Sequence, residues 1–323
     1  MSSEIIGTGR ALPQRVVTND ALAKQFNLSA SEIFRKTGIQ NRYWAEPSEK
    51  PSTLAVVAAK NALEAAGCHA RDIDLILVST TTPDMYFPST ACLVQRDLKA
   101  RSIPAFDINA SCSGFLYALS LADQYIKNGR AKTVLVIATD LKSRFINPKD
   151  QTTAILFGDG AGAVVLRRGV SGIQKITLGA DGAFQQLIDL PGGGARLPIT
   201  LQSLKEERHY MQMQGKRLFR IAVRKMESTL TQFLSEASLS FDEIDFYLFH
   251  QANLRILEAL FKRISLPRHK TEITLSQFGN TSSSTIPIAL DVAVRAGKLK
   301  KGDRVVFSAF GGGVTWGNVL LNW

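Results

Sequence analysis

Residues 72–78, DIDLILV, follow the stretch LAVVAAKNALEAAG (54–67), and residues 243–249, EIDFYLF, follow RIAVRKMESTLTQFLSEA (220–237) in the same way. In both places a helical spacing of apolar residues gives way to a short apolar run of strand length. Ile73 matches Ile244 at an offset of 171 residues. The likeness continues outward from these strands. FDIN (106–109), a turn of small residues, a helix pattern ending IKNGRAK (126–132) and the strand TVLVIA (133–138) are echoed by ITLSQFGN (273–280), a helix pattern ending VRAGKLKKG (294–302) and the strand RVVFSAF (304–310). Each half therefore reads as strand, helix, strand, helix, strand. Such alternation predicts mostly parallel sheets covered by helices, with ligand sites at the carboxyl ends of the strands. The chain divides into an N-terminal half, residues 1–170, and a C-terminal half, residues 171–323, whose active loops meet face to face.

The 323 residues are 45% hydrophobic and 21% charged, enough to bury a large core in one or two compact domains. There is no apolar run of about 18 residues, as a membrane helix requires. MSSEIIGTGR at the N-terminus lacks the basic and apolar regions of a signal peptide, so a cytoplasmic protein without membrane insertion is expected. Cys68, Cys92 and Cys112 are odd in number and irregular in spacing, which suits neither a disulfide framework nor a metal site. The formal net charge of +11 favours an acidic partner. The basic residues are dispersed and no nucleic-acid-binding signature accompanies them, which argues against nucleic acid.

Cys112 lies in DINASCSGFLYALSLADQYI (107–126), where a strand pattern ends, small residues follow and a long apolar-periodic helix begins. At a helix N-terminus the macrodipole favours the thiolate, and Ala110, Ser111, Ser113 and Gly114 leave room for a carbonyl carbon to approach. Cys68 and Cys92, inside or at the ends of helical patterns, read as structural. His250 stands between the strand FYLF and the helix of QANLRILEALFKRI (251–264), at a strand carboxyl end facing the loop of Cys112. His69, His209 and His269 have no such setting. Asn280, in QFGNTSSSTIPIAL (277–290), falls near the position matching Cys112 if a small loop difference is allowed. A donor at His250 Nε2 and the Asn280 amide together suit an enolate oxygen formed by decarboxylation. In AFGGGVTWG (309–317) successive glycines free the backbone, so that the N–H of Gly312 joins that of Cys112 in an oxyanion hole. FGDGAGAVVL (157–166) reads as close strand pairing, because no phosphate-binding lysine and helix follow it.

DINASCSGF, HQANLRI, FGNTSSSTIPIAL and AFGGGVTWG, in this order and over essentially the whole chain, resemble β-ketoacyl-acyl-carrier-protein synthase III of the thiolase superfamily. TGI (37–39), FPST (87–90) and FGDGAGAVVL add to the likeness. The resemblance implies an α/β protein with a duplicated, five-layer α/β/α/β/α thiolase-like fold, a homodimer, and a catalytic set of Cys112, His250 and Asn280. It implies that Cys112 takes an acyl group from coenzyme A, and that malonyl-acyl carrier protein then loses carbon dioxide and attacks the thioester, initiating fatty acid synthesis. No cofactor is implied, because acyl-CoA and the carrier thioester are substrates. Further implied are substrate contacts at Lys36, Thr37, Phe219, Ala252 and Asn253 and an acyl pocket of Phe87, Leu141, Leu190 and Phe310. Docking of the acidic carrier protein is implied at Arg220, Arg255, Lys262 and Arg263.

The sequence departs from the family at the coenzyme A site. A tryptophan usually stands five residues before the TGI threonine and an arginine immediately before it; here stand Glu32 and Lys36. A second arginine, usual shortly before FGDG, is here Gln151. These changes remove stacking surface and add a negative charge beside a phosphorylated ligand, which predicts altered coenzyme A recognition. A thiolase needs a second cysteine in its C-terminal half, and none follows Cys112. The remaining alternatives are a specialised synthase or acyltransferase serving a secondary metabolite, biotin precursor or unusual lipid, and a non-catalytic partner subunit. The second of these should lack the nucleophile.

Overall fold

Asp74 and Asp245, the acidic residues of the two matching strand motifs, do the same work. The Asp74 N–H donates to Thr133 O at 2.9 Å while its carboxylate accepts from the N–H groups of Lys132 and Thr133. The Asp245 N–H donates to Arg304 O at 3.0 Å, and its carboxylate accepts from the Arg304 N–H at 2.8 Å. In each half one aspartate fastens the starts of two neighbouring parallel strands. The structure, a computed structural model, describes residues 2–323.

The first sheet contains β1 (Ser2–Ala11), β2 (Leu75–Ser79), β3 (Ala105–Ile108), β4 (Thr133–Asp140) and β5 (Gly160–Gly169), in the spatial order β1-β5-β4-β2-β3. The second contains β6 (Gly172–Ala180), β7 (Phe246–Phe249), β8 (Arg304–Gly311) and β9 (Thr315–Asn322), in the order β7-β8-β9-β6. The β2 strand is parallel to β3 and β4, and β7 to β8; every other pairing in these sheets is antiparallel. The sheets are therefore mixed rather than mostly parallel. FGDGAGAVVL runs into β5, between β1 and β4, and its Gly162 lets Pro287 pack close against the strand, since a Cβ there would lie 2.8 Å from that ring. One expected strand is missing. In the second half ITLSQF does not extend along β7, and one bridge, Tyr247 to Thr271, stands in its place. The Gln251 side chain holds the segment instead, donating to Glu272 O and accepting from the N–H groups of Thr274 and Leu275.

Six helices complete the layers: α1 (Pro51–Ala65), α2 (Thr90–Leu98), α3 (Gly114–Lys127), α4 (Gly215–Glu236), α5 (Leu254–Ile264) and α6 (Thr285–Arg295). The α1 and α2 helices cover the outer face of the first sheet, α4 and α5 that of the second, and α3 and α6 fill the space between. The result is five layers, α/β/α/β/α. Alternation along the strands assigns each face. Leu75 and Leu77 point inward to Phe115 and Leu116, whereas Ile76 and Val78 join Leu54 and Val94 outside. Because both faces are covered, these strands read as unbroken apolar runs. Full burial of such side chains contributes about 1.5–3 kcal/mol each. Phe115 on α3 meets Phe307 on β8 at 6.5 Å between ring centroids, so the middle layer bonds the two sheets into one body. Among the described residues no helix is long and apolar enough to cross a membrane.

Candidate active site

The two middle helices start in the same unusual way. After β3, Asn109 Oδ1 accepts from the Ser111 N–H at 3.3 Å, Ser111 takes φ +51°, and the turn Ser111–Ser113 runs into α3. In the second half Asn280 Oδ1 accepts from the Ser282 N–H at 2.9 Å, Ser282 takes φ +57°, and the turn Ser282–Ser284 runs into α6. A serine at positive φ is uncommon, and the short asparagine side chain offsets the strain by closing the turn. The repeat corrects the sequence expectation. No loop difference is needed: at the 171-residue offset Asn109 matches Asn280, and the mate of Cys112 is Ser283.

The Cys112 thiol is buried at the head of α3, with Sγ 3.6 Å from Ser282 Oγ. His250 follows β7, its N–H donating to Ser308 O at 2.9 Å. The ring is buried, with Nδ1 2.7 Å from Thr285 Oγ1, and that hydroxyl lies 2.9 Å from Ser282 O. A carbonyl only accepts, so the single hydroxyl proton goes to Ser282 O and Nδ1–H donates to Thr285. Neutral His250 then has a bare Nε2, and this atom has no hydrogen-bond partner among the described residues. The expected donor at Nε2 exists only after the imidazole has taken up a proton. Burial pushes the Cys112 thiol up, but a protonated His250, through its charge and a hydrogen bond to the sulfur, pulls it down further, helped by the Lys142 charge and Ser282, to about 7. Asn280 is fixed as well. Its Oδ1 is held by the Ser282 N–H, which orients the amide and leaves Nδ2 without a protein acceptor at the wall of the cavity.

Among the described residues the Cys112 N–H has no acceptor. Gly311 keeps it open, since a Cβ there would lie 2.7 Å from Cys112 N and 3.0 Å from Ser113 N. The Gly312 N–H, expected beside it, instead donates to Ser111 Oγ at 3.2 Å. Of the two N–H groups expected to form an oxyanion hole, that of Cys112 is free and that of Gly312 is engaged internally.

A cavity of about 650 Å³ joins Cys112, His250 and Asn280. Phe157, Ile188, Met213 and Phe310 line its apolar body, and Phe219, Ala252, Asn253, Arg220 and Arg255 line its approach. Lys36 and Thr37 are not in the wall. Asn253 Nδ2 donates to Lys36 O, and Thr37 is buried at the end of a helix with its hydroxyl bonded to Ile33 O. Glu32 caps that same helix through Ser29, and Gln151 is an exposed first residue of the helix Gln151–Ala154.

Of the expected acyl-pocket residues only Phe310 lines this cavity. Phe87 is 85% exposed on the loop after β2, Leu190 is exposed, and Leu141 packs into the outer core with Leu54 and Ile137. Lys262 is exposed on α5, whereas Arg263 pairs with Glu227 at 2.5 Å and ties α5 to α4. Lys216, which was not anticipated, adds a further cation to the approach.

A buried, acidified thiol beside a bare imidazole nitrogen, at the strand ends of a doubled five-layer fold, is the constitution of a thiolase-fold condensing enzyme of the acyltransferase type. Residues 106–182 match the model of 3-oxoacyl-[acyl-carrier-protein] synthase III, and residues 234–323 match that of its C-terminal part. The chain is 43% identical over 325 residues, 100% of this chain and 98% of the relative, to the β-ketoacyl-[acyl-carrier-protein] synthase III of Caldanaerobacter subterraneus subsp. tengcongensis. Its structure superposes with a TM-score of 0.92 on 3-oxoacyl-[acyl-carrier-protein] synthase III from Aquifex aeolicus, at 42% identity over 99% of this chain and 100% of that one. The priming β-ketosynthase of the R1128 polyketide biosynthetic pathway is also similar, with a TM-score of 0.92 at 33% identity over 99% of this chain and 96% of that one. The chain belongs to the β-ketoacyl-[acyl-carrier-protein] synthase III family, the initiating condensing enzymes of fatty acid synthesis.

Proposed function

We propose that Cys112, His250 and Asn280 carry out a two-step condensation with an acyl-coenzyme A and a malonyl-acyl carrier protein as substrates, without a metal or other cofactor. The single observation that carries this reading is the convergence, in one cavity, of a thiol lowered to about 7, a bare His250 Nε2 and an unspent Asn280 amide. In the first step the Cys112 thiolate attacks the thioester carbonyl, and the Cys112 N–H meets the oxyanion. The carbon–sulfur bond to coenzyme A breaks, and His250 gives the leaving sulfur its proton.

In the second step the malonyl carboxylate leaves as carbon dioxide. Asn280 Nδ2 and a reprotonated His250 Nε2–H hold the enolate oxygen while its carbon attacks the acyl-Cys112. The proton that the whole reaction consumes enters at His250, and departure of the product restores the thiolate beside an imidazolium.

The exposed cations Arg220, Arg255 and Lys262 around the approach suit an acidic carrier protein. Tyr86 and Phe87, 77% and 85% exposed, and Leu201 suit burial in a homodimer. A cytoplasmic location fits these substrates. The test is acylation from coenzyme A and carrier thioesters side by side, followed by malonyl-carrier and measurement of carbon dioxide. Mass spectrometry should find the acyl group on Cys112 and none on Cys112→Ser, and Asn280→Ala should keep the adduct while losing carbon dioxide release. Label on Cys68 or Cys92, or acyl transfer without decarboxylation, would overturn the proposal.

A further inference from the structure

The carboxyl ends of β2 and β4 carry a buried charged group whose hydrogen-bonding capacity this chemistry does not use. Lys142, two residues beyond β4, is only 8% exposed. Its ammonium has three N–H donors, and one protein acceptor meets them, Thr81 Oγ1. No carboxylate lies within ion-pair distance of it among the described residues. The nearest acid along the hydrogen-bond chain, Asp140, is fully occupied by neutral donors: Oδ1 accepts from the Thr81 N–H and hydroxyl, Oδ2 from the N–H and hydroxyl of Ser283. An ammonium buried with two idle donors is costly unless an anion or acceptor comes to it.

Its position says which acceptor. Lys142 is close enough for its charge to act on the Cys112 thiol, yet it is absent from the wall of the cavity through which a thioester approaches. A short polar chain leads from the sulfur to Lys142: Ser282 Oγ lies 3.6 Å from Sγ, and the next residue, Ser283, shares the Asp140 carboxylate with Thr81, whose hydroxyl meets the ammonium. We propose that Lys142 reads the acyl group: its ammonium receives the terminal carboxylate of a short ω-carboxyacyl chain carried by Cys112. This rests on Cys112 being the acylated nucleophile. The step is ordinary thioester exchange. The Sγ–acyl bond forms, the bond from the acyl carbon to the donor sulfur breaks, that sulfur leaves as a thiol with the proton, and the distal carboxylate is unchanged. A plain alkyl chain of the same length leaves the ammonium unanswered.

The experiment times acylation of Cys112 by mass spectrometry with succinyl and butyryl thioesters of coenzyme A, in wild type, Lys142→Met and Lys142→Arg. Wild type should take succinyl faster than butyryl by about tenfold, the scale set by one hydrogen bond to a buried charge. Lys142→Met should reverse that order, and Lys142→Arg should retain it. The preference of the wild-type enzyme is informative even if a variant fails to fold. A wild type that prefers butyryl overturns the proposal while leaving the nucleophile in place. Lys142→Met slowing both donors equally, with a higher midpoint for alkylation of Cys112 by iodoacetamide, also overturns it and makes Lys142 a positioning residue for the thiolate. Absence of any adduct on Cys112 overturns the nucleophile assignment, and this proposal with it.

Discussion

Thr285→Val should raise the pKa of Cys112 without changing any group in contact with sulfur. Thr285 Oγ1 is the acceptor for His250 Nδ1–H at 2.7 Å, and valine keeps its volume while removing that acceptor. The imidazolium needs the bond more than the neutral ring does, so its loss pushes the pair back toward thiol and imidazole. A hydrogen bond to a charged group is worth about 1.5–3 kcal/mol, which at about 1.4 kcal/mol per pKa unit is an upward shift of about one to two units. From a starting value of about 7, the midpoint should move to about 8–9. At pH 7 the thiolate fraction then falls from about one half to about a tenth or less, and alkylation slows at least about fivefold. The assay is the rate of iodoacetamide modification of Cys112 from pH 5 to pH 10, with the melting temperature as a check on folding. An unchanged midpoint in a folded variant would refute both the tautomer assigned to His250 and its part in acidifying Cys112.

Gly311→Ala places a methyl group 2.7 Å from Cys112 N, against backbone that has no rotamer to yield. The loss of an oxyanion donor should lower the acylation rate by about 10²–10³ while the protein still folds, as read by stopped acylation and thermal melting. Reversing both Arg220 and Arg255 to glutamate should raise KM for the carrier substrate about tenfold with kcat nearly unchanged, and the wild-type KM should itself rise with salt. Arg263→Ala, which removes a partly exposed ion pair with Glu227, should cost no more than about 1 kcal/mol of stability.

Much of this architecture could be read from the chain because two-fold repetition leaves a mark in one dimension. Asp74 and Asp245, or β4 and β8, stand at the 171-residue offset first suggested by Ile73 and Ile244. The same offset already paired Asn109 with Asn280, and matching Cys112 to Asn280 instead came from relaxing it. The loss of a fifth strand from the second half was not legible, because pairing depends on what Gln251 does with its side chain. The engagement of Gly312 by Ser111 is likewise a contact across 201 residues that no local pattern carries. Phe157, Ile188 and Met213 look like any core residues, since apolar periodicity does not separate the wall of a cavity from a filled interior. Phe87 and Leu141 enter the acyl pocket only through the resemblance; in the single chain Phe87 is exposed on the loop after β2 and Leu141 packs into the outer core. A lysine after a strand suggests solvent; only the packing of Lys142 against Thr81 shows it turned inward.

Gly311 and Asp140 end matching strands, 171 residues apart. In the first half the Asp140 carboxylate sits on the N–H of Ser283, at the place where the second half leaves nothing in front of Cys112. The silent copy is thus a lock with its key cast in place: its anion is a permanent part of the chain, and no substrate can displace it. The working copy has Cys112 where the silent one has Ser283, and Gly311 where the silent one has Asp140. The strand end that Asp140 fills in one half is left bare by Gly311 in the other, and that bare end is where an oxyanion has room in front of Cys112.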